Sequence, residues 1–259
     1  MAGTCLGGGS KMRFTYKSPA YNIYGDTSSG GGMVSQLRWT GCDHVVITGK
    51  AEHPVYLWIR DDEVEIRDAR HLWGKKVHEA DAAIKRELGD SEVESACIGP
   101  AGENLVRYAS IMVSSHRAGG RGGGGCVMGS KNLKAIAVRG TRGIDVHDPD
   151  ALFKAMDEFR AARSKGLTGH MKYGTLRLTR KFHGLGFNTY RNAQGYEMPD
   201  EAVDKLDHNW YAGNLGVRPK ACSTGCAFAC GHFHYIRGDE TPLPETTPAN
   251  GAPGPNSGR

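Results

Sequence analysis

The chain has 259 residues, a mass of 28.0 kDa, a formal net charge of +5 and seven cysteines. A mean hydropathy of −0.48, with no apolar run near the roughly 20 residues that a membrane helix needs, excludes a helical membrane protein. The mild charge, without clustered basic and aromatic residues, argues against nucleic-acid binding. The start has no apolar signal-peptide segment. We therefore expect a cytoplasmic protein whose odd number of cysteines serves as thiols or metal ligands.

The first half of the chain has the pattern of a β-rich domain with one helix. Asp61 to Glu63 separate two β-rich runs and predict a hairpin turn. Residues 75–88 carry apolar side chains at helical spacing and predict a helix. Runs rich in β-branched and aromatic residues predict strands at 44–48, 55–60, 64–67, 93–98, 106–112 and 134–138.

The pattern changes near residue 145, where helical signals begin. Asp148 is a suitable N-cap, and Pro149 fits the first helical position. Weaker helical patterns follow at 171–182 and 200–206. The second half is therefore predicted to be helical.

These signals predict an α+β chain with two domains and a tail. A mixed β-sheet domain spans residues 1–145, and the incomplete α-helical domain spans residues 148–238. The tail, residues 239–259, contains five prolines and one large aliphatic residue. It buries too little apolar surface to offset its ordering entropy, so we predict that it is disordered.

A polyglycine loop flanked by arginines is the first chemistry-bearing motif. Arg117 and Arg121 bracket glycines, and a backbone without side chains beside positive charge suits an anionic, phosphate-bearing ligand. Gly120, Gly122 and Gly125 satisfy G-x-G-x-x-G, but glycine-dense sequence does so by accident. A dinucleotide loop should open a helix, whereas KNLKAIAV favours a strand here. The alternative interpretation is a solvated loop.

The second motif is a run of cysteines at four-residue spacing, Cys222, Cys226 and Cys230. Closely spaced thiols suit a soft metal, but three thiolates do not complete a Cys₄ cluster. Zinc in a Cys₃His site and buried unliganded thiols are the alternatives. The candidates for a further ligand are Cys5, Cys42, Cys97, Cys126, His232, His234, another non-cysteine group or a residue beyond the chain.

Two further polar residues lie near the glycine loop. His116 precedes Arg117 and could donate a proton at a cofactor, although a lone loop histidine more often has only a structural or solvated role. Glu103 lies between two predicted strands, and we expect it to hold a turn.

Three long motifs carry a family resemblance. GPAGENLVRYASI (residues 99–111), HRAGGRGGGGCVMGSKNLKAIAVRG (116–140) and VEIRDARHLWGK (64–75) resemble the tungsten-dependent aldehyde:ferredoxin oxidoreductases. The similarity extends over about residues 3–231. It implies a tungsten (or molybdenum) centre on two pyranopterin dithiolenes, beside a [4Fe–4S] cluster. It also implies an N-terminal saddle of two β-sheets that cradles the pterins, and helical domains that cover them.

The resemblance assigns expected roles to single residues. Lys11 stands where the family places a basic side chain between cluster and pterin, and Ser28 stands where relatives often carry a pterin-contacting asparagine. Cysteines 222, 226 and 230 match the cluster loop, but the family spacing is usually C-x₂-C-x₃-C, so Cys222 departs from it. The implied pterin contacts are Lys11, Ser28, Gly30, Arg117, Ala118, Gly120 and Arg121, and the implied metal ligands are Cys222, Cys226 and Cys230.

The function that the resemblance implies is oxidation of a small-molecule aldehyde to a carboxylic acid, with electrons passing through the cluster to ferredoxin. A benzoyl-CoA reductase-like aromatic-ring reductase subunit is the alternative enzyme. A non-catalytic zinc or iron–sulfur module is the alternative of another class. Because the family's first strands and its segment after the third cysteine are missing, we expect an inactive fragment of an enzyme that forms a homodimer or binds partner subunits.

Overall fold

The computed structural model describes residues 2–236 except residues 7, 9, 167, 192, 193 and 197. The predicted disordered tail, residues 239–259, lies outside the described residues. The chain divides into two compact units. Unit 1 consists of Met1–Leu152 and Ser223–Gly225, and unit 2 consists of Phe153–Cys222 and Cys226–Arg259. Within the described part of the chain, no helix has both the length and the apolar character to cross a membrane.

Unit 1 contains eight strands and four helices among its described residues. The strands are β1 (Met12–Lys17), β2 (Tyr24–Ser29), β3 (Val55–Arg60), β4 (Glu63–Asp68), β5 (Glu94–Cys97), β6 (Ile111–Val113), β7 (Arg117–Gly119) and β8 (Leu133–Arg139). The helices are α1 (Met33–Trp39), α2 (Val77–Leu88), α3 (Pro100–Glu103) and α4 (Gly124–Ser130), and the start of a fifth helix, α5 (Pro149–Gly166), also lies in this unit.

Six of these strands form one mixed sheet in the order β4-β3-β8-β5-β6-β7. β3 and β8 run parallel, and the other neighbouring pairs are antiparallel. β8 is buried along six of its seven residues, as expected of a central strand covered on both faces. The predicted mixed sheet followed by helices is thereby confirmed.

The two faces of the sheet pack against different apolar groups. One face carries the cluster of Met33, Val55, Ile59, Ala96, Ile98, Ile111, Val113, Met128, Leu133, Ile136 and Val138. The other face packs against α2 and carries Tyr56, Trp58, Ala69, Leu72, Ile84, Val93, Cys97, Ala135 and Ala137. The strand that leads into the glycine loop therefore belongs to a sheet with apolar packing on both faces.

Helix α2 shows how the local sequence sets one of these elements. The Lys76 backbone N–H donates to the Glu79 carboxylate at 2.8 Å, which satisfies one amide of the first turn. Ala80 and Ile84 are buried on one face against the sheet. The helix ends at Gly89, whose φ of 67° is the left-handed conformation that glycine adopts without a steric cost.

A separate antiparallel hairpin, β1 with β2, pairs Met12 with Ser29 at one end and Lys17 with Tyr24 at the other. Its residues alternate between half-buried and exposed along β1, the period-2 pattern of a strand with one covered face. This hairpin was not predicted, because the β2 sequence YGDTSS is polar and lacks the β-branched run that marks a strand.

Unit 2 contains mostly short helices and one strand pair. Its elements are the rest of α5, α6 (Thr168–Tyr173), a 3₁₀ turn (Gly174–Leu178), α7 (Thr179–Gly184), α8 (Asp200–Leu206), α9 (His208–Asn214), β9 (Leu215–Lys220) and β10 (Gly231–Ile236). The Asp148 carboxylate accepts from the Ala151 N–H at 2.9 Å, which confirms the predicted start of α5.

Several predicted elements differ from the structure. Residues 44–48 form no strand, and only the end of the predicted strand 106–112 pairs, as β6. The helix predicted at 171–182 is interrupted at Gly174, whose φ of +60° is incompatible with a continuous α-helix. β9 and β10 form an antiparallel pair in the half that was predicted to be only helical.

Candidate functional site

The glycine loop follows β7 and leads into the short helix α4. Gly122 and Gly123 have φ of +67° and +82°, the left-handed region in which a side chain is strained. α4 then runs from Gly124 to Ser130 before β8 begins. The prediction that a strand would follow the loop directly was therefore wrong, because residues 124–130 are glycine-rich and their helical tendency is weak in isolation.

Most of these glycines are required by protein packing rather than by a ligand. A Cβ at Gly123 would lie 1.9 Å from the Arg107 carbonyl oxygen, and one at Gly129 would lie 2.0 Å from the Gly102 carbonyl oxygen. Gly120 differs, because its Cβ would meet only the Ser110 hydroxyl at 3.6 Å. Gly120 is exposed, so the backbone is open to a ligand at that point.

The two arginines of the loop lie in different environments. Arg117 begins β7 and is only 6% exposed, whereas Arg121 is exposed. Between them, Ala118 pairs with Met112 of β6. A buried guanidinium requires compensating interactions, so Arg117 is a stronger sign of a binding site than Arg121.

The β1–β2 hairpin is bonded to this loop. The Arg121 carbonyl accepts from the Tyr16 hydroxyl, and the Arg121 N–H donates to the Thr27 hydroxyl at 3.4 Å. The Ser18 hydroxyl donates to the Gly122 carbonyl at 2.7 Å. The hairpin that carries Ser28 is thereby held beside the segment that carries Arg121.

The remaining predicted pterin contacts lie on or next to this hairpin. Ser28 is exposed on β2 opposite Arg13, and Gly30 is buried just after β2. Lys11 is exposed at the start of β1 and lines a cavity of about 800 Å³ in unit 1. Arg117 is not among the residues that line that cavity.

The turn between β6 and β7, Ser114–His116, precedes the strand that leads into the glycine loop, and it was not predicted. Ser114 and Ser115 have φ of 51° and 63°. The Gly32 N–H donates to the Ser114 hydroxyl at 3.2 Å, and a Cβ at Gly31 would lie 2.6 Å from that oxygen. No local sequence signal predicts left-handed backbone at two successive serines, so this turn could be recognised only in the structure.

Glu103 forms a buried ion pair with Lys134 of β8. The side chains are 4% and 0% exposed, and Lys134 also donates to the Lys75 carbonyl at 2.8 Å. The second carboxylate oxygen of Glu103 accepts from the Gly74 N–H at 2.8 Å. Because these contacts fix backbone segments to the central strand, they agree with the structural role expected for Glu103.

The three predicted metal ligands lie between β9 and β10 and are half-buried. A hydrogen bond from the Cys222 thiol is the largest influence on Cys226. Together with the backbone N–H groups of Phe228 and Ala229, it lowers the pKa of Cys226 to about 5. The thiolate is the form that binds metal, so the chemistry of Cys226 fits a metal-ligand position.

The structure brings Cys222 and Cys226 together but does not complete a site. Among the described residues, no three His, Cys, Asp or Glu side chains are gathered around a position for a metal ion. Ala229, with φ of 41°, lies between the Cys222–Cys226 pair and Cys230. The pair therefore fits part of a ligand set.

Cys97 of β5 and Cys126 of α4 fit structural thiols better than ligands. Cys97 is fully buried, and this burial raises its pKa to about 12. Cys126 is also buried, and its thiol donates to the Leu105 carbonyl at 3.4 Å. A neutral buried thiol is a poor metal ligand, so Cys97 does not suit the missing ligand position, and the thiol of Cys126 is engaged by the protein backbone.

His232 and His234, the candidates for a zinc site, lie on β10 and line a cavity of about 570 Å³ in unit 2. Burial lowers the pKa of both imidazoles. One ring nitrogen of His232 is 3.2 Å from the Met171 carbonyl. The ring also hydrogen-bonds the Cys230 backbone, so the imidazole of His232 is bonded to two backbone groups of the protein.

Comparison with known proteins identifies the family. The model of the aldehyde ferredoxin oxidoreductase N-terminal domain matches residues 1–140. The chain therefore belongs to the aldehyde ferredoxin oxidoreductase family, and its relatives are oxidoreductases. The family assignment made from the sequence motifs is confirmed.

Two tungsten-containing aldehyde ferredoxin oxidoreductases illustrate the similarity. The protein of Pyrococcus abyssi is 40% identical over 264 residues, which cover 97% of this chain and 42% of the relative. That of Thermococcus kodakarensis is 42% identical over 245 residues, covering 91% and 39%. The chain thus spans about two-fifths of the length of these relatives.

A solved structure shows the same fold. It is described as the active site complex BamBC of benzoyl coenzyme A reductase in complex with 1,5-dienoyl-CoA. The match has a TM-score of 0.76 and 31% identity, and it covers 94% of this chain and 38% of that one. The chain therefore has the fold of the matching part of that enzyme complex.

Proposed function

We propose that the complete protein oxidises aldehydes to carboxylic acids at a tungsten (or molybdenum) bis-pyranopterin centre and passes the electrons through a [4Fe–4S] cluster to ferredoxin. The names of the two relatives support a tungsten centre, an aldehyde substrate and ferredoxin as the electron acceptor. Each aldehyde would take up one water and release two electrons and two protons. The bound metal would supply the oxygen-transfer and electron-accepting chemistry, and the chain would bind and orient its cofactor.

The observation that carries this proposal is the buried Arg117, three residues before the open backbone at Gly120. A guanidinium offers a planar set of donors that matches phosphate, and a glycine lets the ligand approach the backbone closely. Arg117, Arg121 and Lys11 would offset the negative charge of pterin phosphate. Ser28, Gly30 and Ala118, which lie on or next to β2 and β7, would contact the pterin ring system.

The cysteine loop would hold the cluster at Cys222, Cys226 and Cys230. The donors around Cys226 favour its thiolate, and Cys222 is within hydrogen-bonding reach of it. A further ligand would come from elsewhere in the complete protein. We propose accordingly that residues 1–145 are the pterin-binding domain and that residues 148–238 begin the helical cluster domain. The 259-residue chain by itself should be inactive.

A related aromatic-ring reductase is the second candidate, and the benzoyl coenzyme A reductase structure favours it. A non-catalytic zinc or iron–sulfur module remains the contrasting class. The lowered pKa of Cys226 supports a thiolate metal site for both of these candidates.

An activity assay on the complete, anaerobically purified protein separates the enzyme candidates. We expect aldehyde-dependent reduction of ferredoxin, with the matching carboxylic acid as product. An aromatic CoA thioester, tested with reduced ferredoxin, serves as the competing substrate. Ring reduction without aldehyde oxidation would overturn the proposal in favour of the second candidate, and no turnover with cluster and pterin both bound would contradict both.

A further inference from the structure

The turn between β6 and β7 holds two successive residues in a backbone conformation that they disfavour. Ser114 and Ser115 are left-handed, with φ of 51° and 63°. The Cβ of a non-glycine residue crowds the backbone there, so surrounding contacts must hold the conformation. Arg117 begins β7 only two residues later. The direction in which β7 enters the glycine loop therefore depends on this turn.

Asp81 of α2 anchors the turn from one side. One oxygen of its carboxylate accepts from the Ser115 hydroxyl at 2.8 Å, and the other accepts from the Ser95 hydroxyl at 2.5 Å. The residue is 7% exposed, and Lys85 lies 3.2 Å from the carboxylate. A buried carboxylate with both oxygens engaged fixes the position of Ser115 relative to α2 and β5.

Ser114 anchors the turn from the other side. Its hydroxyl donates to the Glu94 carboxylate at 2.5 Å and accepts from the Gly32 N–H at 3.2 Å. Its own N–H donates to the Ser95 carbonyl at 2.9 Å. The turn is thus bonded to the glycine segment after β2, which precedes α1, and to the middle of the sheet.

We propose that Asp81 is a positioning residue, which holds Ser115 in its left-handed conformation and so directs Arg117 toward the pterin; the pterin half of this statement rests on the proposed function. Asp81 touches no ligand itself. The helix α2 and the turn are far apart in sequence, and the carboxylate is the direct side-chain link between them. Removing that link should loosen the turn before it affects α2.

The first test measures amide hydrogen exchange of the segment 114–121 in the metal-free complete protein. Asp81→Asn and Ser115→Ala should each speed exchange there about tenfold, because the first weakens the anchoring bond by removing the carboxylate charge and the second removes the bond. Glu79→Gln is the matched control on the same helix, because Glu79 is exposed and its carboxylate accepts from the Lys76 N–H at the helix start. It should leave exchange of the segment unchanged. Normal exchange in Ser115→Ala would overturn the proposal, even if Asp81→Asn fails to fold.

A second arm tests the role of backbone strain. Glycine adopts left-handed backbone without a steric cost, so Ser115→Gly removes the need for an anchor. In the Ser115→Gly background, Asp81→Asn should change exchange of the segment by less than about twofold. An equal effect in both backgrounds would mean that Asp81 acts through α2 and β5 rather than through the turn, which contradicts the proposal.

The third arm measures pterin and tungsten per chain after anaerobic purification. Asp81→Asn and Ser115→Ala should both lower the pterin content, and Glu79→Gln should not. Faster exchange with full pterin content would overturn the link to the ligand. If the unaltered protein contains no pterin, the proposed function fails, while the exchange measurements still decide whether Asp81 positions the turn.

Discussion

At the scale of single residues, two arginines that look equivalent in the sequence differ in burial. Arg117 is buried in β7, and Arg121 is exposed and bonded through its backbone to Tyr16 and Thr27. A charge–charge contact is worth more in a buried position than in water, because solvent screens an exposed pair. Arg117 should therefore contribute more to cofactor retention than Arg121.

Replacing Arg117 tests this ranking. In the complete enzyme, Arg117→Ala should release pterin, since a hydrogen bond to a charged group contributes about 1.5–3 kcal/mol and several would be lost together. Arg121→Ala should retain more pterin than Arg117→Ala. Exposed Arg107 supplies a matched control as Arg107→Ala, and pterin content per chain is the measurement. Full retention in Arg117→Ala would rule out the assigned contact.

At the scale of elements, the strands and helices with strong local patterns were predictable. β3 occupies the predicted residues 55–60, and α8 the predicted residues 200–206. Residues 44–48 have the same β-rich composition as β3, but Val46 is 85% exposed and the segment pairs with no neighbour. Strand formation needs a partner edge, which composition does not encode.

The candidate site was predictable only in part for the same reason. Glycines and arginines mark the loop, and closely spaced cysteines mark the segment that we propose binds metal. The link from Asp81 to Ser115 joins residues 34 positions apart. α4 is formed by packing of glycines against residues 102–110, a contact that no periodic pattern reveals. Long-range packing of this kind is visible only in the fold.

Packing of α4 against α3 gives a testable prediction at this scale. A Cβ at Gly129 would lie 2.0 Å from the Gly102 carbonyl oxygen, which is backbone and has little freedom to move. Gly129→Ala should destabilise the protein by about 1–3 kcal/mol, the usual cost of overpacking. Denaturant unfolding measures the change. Gly143, whose added Cβ would meet nothing within 4 Å, provides the control as Gly143→Ala.

At the scale of the whole molecule, the family match and the cysteine loop fall in different parts of the chain. The N-terminal domain model covers residues 1–140 within unit 1, and Cys222, Cys226 and Cys230 belong to unit 2. The relatives are more than twice as long as the matched region. We therefore propose that the first part of the chain binds pterin and that the second part binds the cluster.

Metal analysis of the complete protein after anaerobic purification tests this central claim most directly. The account predicts tungsten or molybdenum together with iron and pterin. Replacing Cys226 with Ser should lower the iron content while leaving the pterin contacts of unit 1 intact. Stoichiometric zinc without iron, tungsten or molybdenum would contradict the account and identify the chain as part of a non-catalytic metal-binding module.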